Sequence, residues 1–309
     1  MSMNEFNDFT LFDIFLKNEF ITIVCSINNN PVSENEIDIY VNNTKLQYSH
    51  KHMKTNSEPC LILFYICVEQ TEEVTINYKK IERVFPIDNI DTNRKGTLAL
   101  TTLCKNDYSY FPTFYDYYTK QGVEHFYIYY NGKLHDNVNK VMNYPNVTLI
   151  EWNFRYWNKG QYKCKYKHHA QPCQINHALY KYGKQNYDYM IFNDLDEYFH
   201  IEGYSLKDYI INNPSINIFG FRNIWARTIT PGIPSTIPND FLYSNVIWKY
   251  SKRAKNIYKT DDIKLAGIHS PHIVEKQKNH IVDLNMYHFL EWNHKRCFES
   301  LWKKIYIKY

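Results

Sequence analysis

Residues 188–200 read DYMIFNDLDEYFH, and this stretch decides the fold expected for the chain. The apolar run at residues 189–193 is typical of a short buried strand, and three carboxylates follow it within four residues: Asp194, Asp196 and Glu197. In open α/β sheets ligands bind outside the carboxyl ends of the strands, and clustered carboxylates repel one another unless a cation or a positive ligand group lies among them. The sequence therefore predicts a divalent metal site at the end of this strand.

The acid-x-acid spacing has a geometric consequence if the strand continues through it. Asp194 and Asp196 would then face one side, and Leu195 would pack on the other. Two hard oxygen ligands suit Mg²⁺ or Mn²⁺, which keep coordination positions for water and substrate phosphate. The alternative is a strand that ends in a solvated acidic loop, since short motifs are often false positives. The apolar run before the acids and the third carboxylate favour a functional site.

Length and charge limit the classes of protein. The 309 residues are enough for one large or two ordinary domains with a sizeable core. The formal net charge of +4 is too small to indicate a polyanionic partner, although it is compatible with a small anionic substrate. We therefore expect no nucleic-acid partner, and nothing in the sequence indicates an oligomeric state.

The cysteines and the apolar runs bear on the compartment. Seven scattered cysteines without a CxxC pair predict reduced thiols in a cytosolic protein. Residues 1–20 have neither a basic start nor a continuous apolar core, so we expect no signal peptide. The longest apolar run, at residues 60–68, is far shorter than the ~20 residues that span a bilayer. The prediction is a cytoplasmic protein without a transmembrane segment.

Residues 1–95 and 96–309 differ in rhythm, which predicts two domains. The first part has strand-like runs at 20–27, 36–41, 60–68 and 73–78, typical of a small β-rich accessory domain. In the second part the predicted elements are a strand at 97–103, a helix at 109–121 stopped by Gly122, strands at 123–130 and 147–152, and a helix at 171–182 that buries one side. Strand, helix and strand in this order predict a βαβ unit with parallel strands.

Several short motifs in the second part occur in a recognisable order. They are CKND at 104–107, GVEHFYIYYNG at 122–132, Gln171 and Asn176, DLDEYF at 194–199, KNIY at 255–258, IH at 268–269 and YHF at 287–289. This ordered set resembles glycosyltransferase family 92, once called domain of unknown function 23, and more distantly the family-2-like transferases. The resemblance extends over roughly residues 97 to 292. The sequence departs from the family pattern at Tyr130, where an acidic residue is usual.

The resemblance implies an α/β fold of the GT-A type, which is a Rossmann-like nucleotide-binding domain, here preceded by the β-rich domain. It also implies transfer of a sugar, most often galactose, from a UDP-sugar donor to a glycan or glycoconjugate acceptor, with inversion and with Mn²⁺ or Mg²⁺. By this resemblance Asp194 contacts the ribose or the metal, and Asp196 is the principal metal ligand. A late histidine completes the metal or pyrophosphate site, and His269 is preferred to His288 for that role.

The remaining site residues are implied in the same way. The expected contacts to the nucleotide sugar are Thr102, Lys105, Asn106, Asn131, Gln171, Asn176, Asp194 and Lys255. Asp107 or Ser109 could instead serve only to cap the following helix. Inversion needs a carboxylate that deprotonates the acceptor hydroxyl. The candidates are Asp240, which opens a predicted helix at 241–250, and Glu291.

Two other functional classes fit parts of this pattern. A metal-dependent phosphohydrolase or nuclease would also cluster acids around one or two ions, although it would want further acids and no dedicated nucleotide pocket. A non-catalytic sugar-binding module on a transferase fold is the second, but the intact Asp194 and Asp196 argue against decay of the site. Binding of UDP with and without metal separates the three classes.

Overall fold

The structure is a computed structural model that describes residues 4–28, 32–54, 58–158, 167–228, 241–247, 249, 253–269, 273–274, 279–289 and 306–308. The chain forms two compact units of mixed composition. Unit 1 comprises Met1–Lys95, Phe154–Asn186 and Lys264–Gly267, and unit 2 comprises Gly96–Asn153, Tyr187–Ile263 and Ile268–Tyr309. The sequence suggested a division after residue 95, and two later segments group with the N-terminal residues.

The described elements follow in chain order. They are β1 Phe9–Lys17, β2 Phe20–Ile27, β3 Ile37–Val41, β4 Thr44–Lys45, β5 Gln47–Lys54, β6 Cys60–Ile66, β7 Glu73–Tyr78, β8 Ile81–Pro86, β9 Asp88–Ile90, β10 Gly96–Cys104, α1 Phe111–Lys120, β11 His125–Tyr130, α2 Asp136–Val141, β12 Val147–Glu151, β13 Trp157–Asn158, β14 Lys167–His168, α3 Ala170–His177, β15 Tyr187–Phe192, β16 Glu197–His200, α4 Leu206–Asn212, β17 Ile218–Thr228, β18 Phe241–Ile247, β19 Lys255–Lys259, β20 Ile263–Leu265, β21 Ile273–Val274, β22 His280–Phe289 and β23 Tyr306–Lys308.

Unit 1 contains the β-rich N-terminal region that the sequence predicted. One sheet has the order β5-β6-β2-β1-β9 and the other β4-β3-β7-β8, with antiparallel pairs apart from β1 and β9. Aliphatic and aromatic side chains of both sheets share one core. Strand β1 was not predicted, because its nine residues are buried almost without alternation and so lack the period-two pattern of a surface strand.

Helix α3 also belongs to unit 1, and its burial was predicted wrongly. The sequence indicated one buried side, but all eight residues of α3 are buried. The helix contacts β2 and β6, and its polar side chains find hydrogen-bond partners instead of solvent. Beyond His177 it continues as a π-helical turn, Ala178–Gly183.

A partly buried ionic cluster fixes that helical segment to strand β1. Asp13 Oδ2 lies 2.6 Å from His177 Nε2 and 2.8 Å from Lys181 Nζ, and Lys181 Nζ is also 2.6 Å from Asp88 Oδ2. Burial alone would raise the pKa of Asp13, but His177 and Lys181 outweigh it and hold that pKa at about 2. The cluster therefore stabilises unit 1 through the ionised form of Asp13.

Unit 2 is built on one large sheet with the order β12-β11-β10-β15-β19-β17-β18-β23, and β22 pairs with both β16 and β17. Strands β12, β11, β10 and β15 are parallel, which confirms the predicted βαβ unit of β10, α1 and β11. Gly122 ends this helical region at φ +88°, and a Cβ there would lie 2.5 Å from Lys207 Cβ. Only glycine fits that position.

The helix predicted at residues 241–250 is wrong. Residues 241–247 form strand β18, which pairs antiparallel with β17 from Thr228 opposite Phe241 to Ile224 opposite Ile247. The segment FLYSNVI is rich in aromatic and β-branched residues, and an available sheet neighbour decides between helix and strand in such sequences.

Among the described residues no helix is long and apolar enough to cross a membrane.

The Asp13 cluster gives a prediction for stability. We expect Asp13→Asn to lower the free energy of unfolding by about 1 to 3 kcal/mol near neutral pH, because it weakens buried charge-assisted hydrogen bonds. The folded pKa of about 2 lies below the unfolded value. The stabilisation is therefore complete above the unfolded pKa of about 3.9 and disappears as the pH falls through the folded value.

Thermal unfolding followed at a series of pH values would check this prediction. The gap in melting temperature between wild type and variant should close as the pH falls from about 4 to about 2. Asp38→Asn is the control, since Asp38 pairs with Lys45 at the surface of the same unit and should hardly change the melting temperature. A gap that stays constant over this pH range would contradict the role assigned to Asp13.

Candidate functional site

The acids of the DLDE sequence lie on a turn, not on a strand. Strand β15 ends at Phe192, and the Glu197 backbone N–H donates to the Asp194 carbonyl oxygen at 3.1 Å. The expected strand alternation of Asp194 and Asp196 is therefore wrong, although Leu195 between them is fully buried as predicted. The direction of each carboxylate is set by this turn, which joins β15 to β16.

The hydroxyl of Tyr118, on α1, holds the turn in place. It donates to the Glu197 carbonyl oxygen at 2.9 Å, and it accepts from the Phe199 backbone N–H at 3.0 Å and the Asn193 side-chain amide at 2.7 Å. The Asn193 amide also donates to the Glu197 carbonyl oxygen at 3.0 Å. The first helix of the βαβ unit is thus connected to both ends of the acid turn.

Glu197 is the most buried carboxylate of the turn, with 2% of its surface exposed. Its Oε2 accepts from the Asp194 backbone N–H at 2.8 Å and lies 3.3 Å from Lys255 Nζ. Lys255 Nζ also donates to Asp194 Oδ2 at 2.8 Å. Burial raises the pKa of Glu197 to about 7, although the Lys255 ammonium opposes this. A lysine from β19 therefore lies within the acid cluster.

Asp196 pairs with a histidine from near the end of the chain. Its Oδ2 is 3.2 Å from His288 Nε2, and His288 Nδ1 is 3.0 Å from Asn223 Oδ1. Burial lowers the pKa of His288, but the carboxylates of Asp196, Glu197 and Asp194 together outweigh it, so the net shift is upward. Strand pairing explains the meeting: β22 runs antiparallel to β16, which places His288 opposite Glu197.

Asp107 also lies within reach of the acid turn; the sequence placed it after the first strand of unit 2, with capping of the next helix as the alternative. Burial, together with the charges of Asp196 and Asp194, raises the pKa of Asp107 to about 6, against the Lys105 backbone N–H that donates to it. Its side chain makes no helix-capping hydrogen bond. The signal was its place directly after β10, because the carboxyl ends of parallel strands lie at one edge of a sheet.

The other residues expected to contact the nucleotide differ in how exposed their side chains are. Lys105 and Asn106 are exposed just after β10. Thr102 is buried, and its hydroxyl has no hydrogen-bond partner among the described residues. The buried Asn131 side chain donates to the Trp152 carbonyl oxygen at 2.9 Å. Lys105 and Asn106 therefore have the most exposed side chains of this group.

Gln171 and Asn176 lie on α3 in unit 1. The Gln171 side-chain oxygen accepts from the Tyr156 hydroxyl at 2.9 Å. The Asn176 amide donates to the carbonyl oxygens of Pro172 and Ala266 at 2.8 and 2.9 Å, and its oxygen accepts from the Ala266 backbone N–H. Both side chains thus take part in hydrogen bonds that stabilise unit 1.

His269 and His288, the two candidate histidines, have different surroundings. His269 is exposed, and its ring lies against the backbone next to Lys255: Nδ1 is 3.1 Å from the Ala254 carbonyl oxygen. In the described part of the chain, no three His, Cys, Asp or Glu side chains are grouped so as to hold one metal ion. The candidate bases Asp240 and Glu291 lie outside the described residues.

The Asp196 and His288 pair nevertheless suits a partial metal site. Two neighbouring ligands of an octahedral Mg²⁺ lie roughly 2.9 to 3.0 Å apart, given bond lengths of about 2.0 to 2.1 Å. The 3.2 Å between Asp196 Oδ2 and His288 Nε2 is close to this separation. Mg²⁺ is typically bound by one or two carboxylates and completes its shell with substrate phosphate and water, whereas a neutral imidazole is a credible further ligand for Mn²⁺. Asp196 could therefore hold either ion, and His288 could join it as a ligand to Mn²⁺.

The Tyr118 hydroxyl supplies a prediction about the turn. We expect Tyr118→Phe to lower the free energy of unfolding by roughly 1 to 3 kcal/mol, since it leaves a buried backbone N–H without its acceptor. Differential scanning calorimetry would measure the change. Tyr115→Phe is the matched control on the same helix, because the Tyr115 hydroxyl donates only to the Asn146 side chain among the described contacts. Equal losses in the two variants would contradict the role of Tyr118.

Comparison with known proteins agrees with this geometry. Residues 100–306, more than half of the chain, match the family model of Glycosyltransferase family 92. A search of curated proteins finds no match. The matched range contains the acid turn, Lys255 and His288, and it confirms the resemblance drawn from the ordered motifs. The chain therefore belongs to glycosyltransferase family 92.

Proposed function

We propose that the chain is a hexosyltransferase of GT-A fold that transfers a sugar, with galactose the first choice, from a UDP-sugar to a glycan or glycoconjugate acceptor. The reaction proceeds with inversion and with Mn²⁺ or Mg²⁺ bound. Family membership supports glycosyl transfer itself. The part of the proposal that goes beyond glycosyl transfer depends on one observation. Asp196 Oδ2 and His288 Nε2 lie 3.2 Å apart beside the carboxyl ends of the parallel strands β10 and β15.

In this proposal Asp196 and His288 hold the ion, and each residue nearby has a defined task. When bound, the ion neutralises the charge that develops on the departing nucleotide diphosphate. His288 would hold the ion in its neutral form through Nε2, and Asn223, 3.0 Å from Nδ1, would orient the imidazole. Tyr118 keeps the acid turn fixed from behind.

The donor nucleotide lies, in this proposal, against the ends of β10 and β11. Lys105 and Asn106 are exposed there, and burial together with Asp196 and Asp194 raises the pKa of the adjacent Asp107 to about 6. Asn131 at the end of β11 is buried and shapes the strand end through its bond to Trp152. Asp240 and Glu291 remain our candidates for the base that deprotonates the acceptor hydroxyl, as inversion requires.

A donor screen tests the proposal directly. Purified full-length chain is incubated with UDP- and GDP-sugars, with and without Mn²⁺, and the released nucleotide is measured. We expect release from a UDP-hexose that stops on chelation, and Asp196→Ala should abolish it while the protein stays folded. UDP affinity that is unchanged in Asp196→Ala with Mn²⁺ present would place the site elsewhere. Hydrolysis of nucleic acid instead of UDP-sugar turnover would favour the nuclease alternative.

The two histidines make a matched pair for a second test. We expect His288→Ala to weaken Mn²⁺ binding by roughly 10- to 100-fold or more, because the loss of even a supporting group at a metal site costs about that factor in affinity. His269→Ala should change it little, since the His269 ring lies against the Ala254 carbonyl oxygen. Calorimetric titration of Mn²⁺ with UDP present measures both. A large loss in His269→Ala and none in His288→Ala would return the ligand role to His269.

A further inference from the structure

Five ionisable side chains of the site form a row in which acids and bases alternate. Asp194 is 2.8 Å from Lys255, Lys255 is 3.3 Å from Glu197, Glu197 is 3.6 Å from His288 and His288 is 3.2 Å from Asp196. Each of these distances joins a carboxylate oxygen to a basic nitrogen. Asp194 therefore faces Lys255, Asp196 faces His288, and Glu197 lies between the two basic side chains.

Lys255 is built into the sheet at this point. It begins β19 and lies opposite Phe221 of β17, and only 3% of its surface is exposed. Burial lowers the pKa of the lysine, but Asp194 and Glu197 raise it more, so the side chain stays charged. A buried ammonium between two carboxylates does for them what a bound cation would do, because an unpaired buried charge is costly.

We propose that Lys255 is a built-in cation of the acid cluster: it neutralises Asp194 and Glu197 and so limits the cluster to one divalent ion, held by Asp196 and His288. This rests on the proposed function for the ion itself. Asp194 then acts as the partner of the lysine and not as a metal ligand, and Lys255 is a positioning residue whose nitrogen is committed before any nucleotide arrives.

The contacts of Glu197 support this division. Its Oε2 already accepts from the Asp194 backbone N–H and faces Lys255, while Oε1 faces His288 Nδ1, the ring nitrogen that does not contact Asp196. Two-metal enzymes place their ions about 3.5 to 4 Å apart and bridge them with carboxylates. Here the ammonium occupies the position between Asp194 and Glu197 where a second ion would bind. The arrangement therefore favours a one-ion transferase over a two-ion phosphohydrolase.

Titration of the full-length chain with Mn²⁺, with and without UDP, tests the proposal by calorimetry and by the paramagnetic resonance of free Mn²⁺. We expect one ion per wild-type chain. Asp196→Asn should lose it, and Asp194→Asn should keep it within about 5-fold in affinity, because only a nearby charge is removed. Lys255→Met, once circular dichroism shows that it is folded, should bind a second ion or bind the first tighter by on the order of 10-fold. Lys255→Arg should keep the wild-type stoichiometry.

Several results would overturn the proposal. One is the binding of two Mn²⁺ ions, or of none, per wild-type chain both with and without UDP. Another is an Asp194→Asn variant that loses as much Mn²⁺ affinity as Asp196→Asn. A third is a folded Lys255→Met variant whose Mn²⁺ stoichiometry and affinity are unchanged. If Lys255→Met does not fold, the two aspartate variants decide. Failure of the proposed function gives a different result. Sugar transfer that continues after chelation would reject the catalytic ion. A gain of Mn²⁺ binding in Lys255→Met would still establish the lysine as the cation that neutralises the acids.

Discussion

The buried ion pair between Glu197 and Lys255 is the interaction on which the site depends. A carboxylate with 2% exposure cannot stay ionised without a partner, and even with the lysine at 3.3 Å its pKa rises to about 7. The same carboxylate accepts the Asp194 backbone N–H, so the pair also fixes the shape of the turn. Removing Lys255 would favour the protonated form of Glu197, and removing Glu197 would leave the lysine with Asp194 and take away the acceptor of the Asp194 backbone N–H.

The strands of the sheet bring Lys255 and His288 to the acid turn from distant parts of the chain. Lys255 is 61 residues from Asp194, and His288 is 92 residues from Asp196. Strand β19 runs antiparallel to β15 with Asn256 opposite Phe192, so the lysine arrives just where β15 ends. Strand β22 brings the histidine by pairing with β16. Strand β19, the antiparallel neighbour of β15, and strand β22, the antiparallel partner of β16, thus complete a site that the parallel strands begin.

The sequence predicted what depends on local pattern. The βαβ unit, the buried strand before the acids and the family followed from short-range periodicity and ordered motifs. Strand β18 did not, because FLYSNVI has no periodic pattern of its own that excludes a helix and its sheet partner lies elsewhere in the chain. The preference for His269 over His288 could not be tested from motif order either, since the pairing of His288 with Asp196 depends on the register of a ten-residue strand. Long-range register is the information that a single sequence lacks.

A lysine and a metal ion neutralise acids in different ways, and the difference matters for this turn. The stabilisation that an ion gives depends on the logarithm of its concentration relative to its dissociation constant, whereas an ammonium on the chain is always present. Where metal alone pairs the acids, folding and metal binding are coupled, and loss of the ion loosens the site. Here Tyr118, Lys255 and Glu197 already fix the turn through contacts of the chain itself. The geometry of the turn is therefore set by contacts within the chain itself.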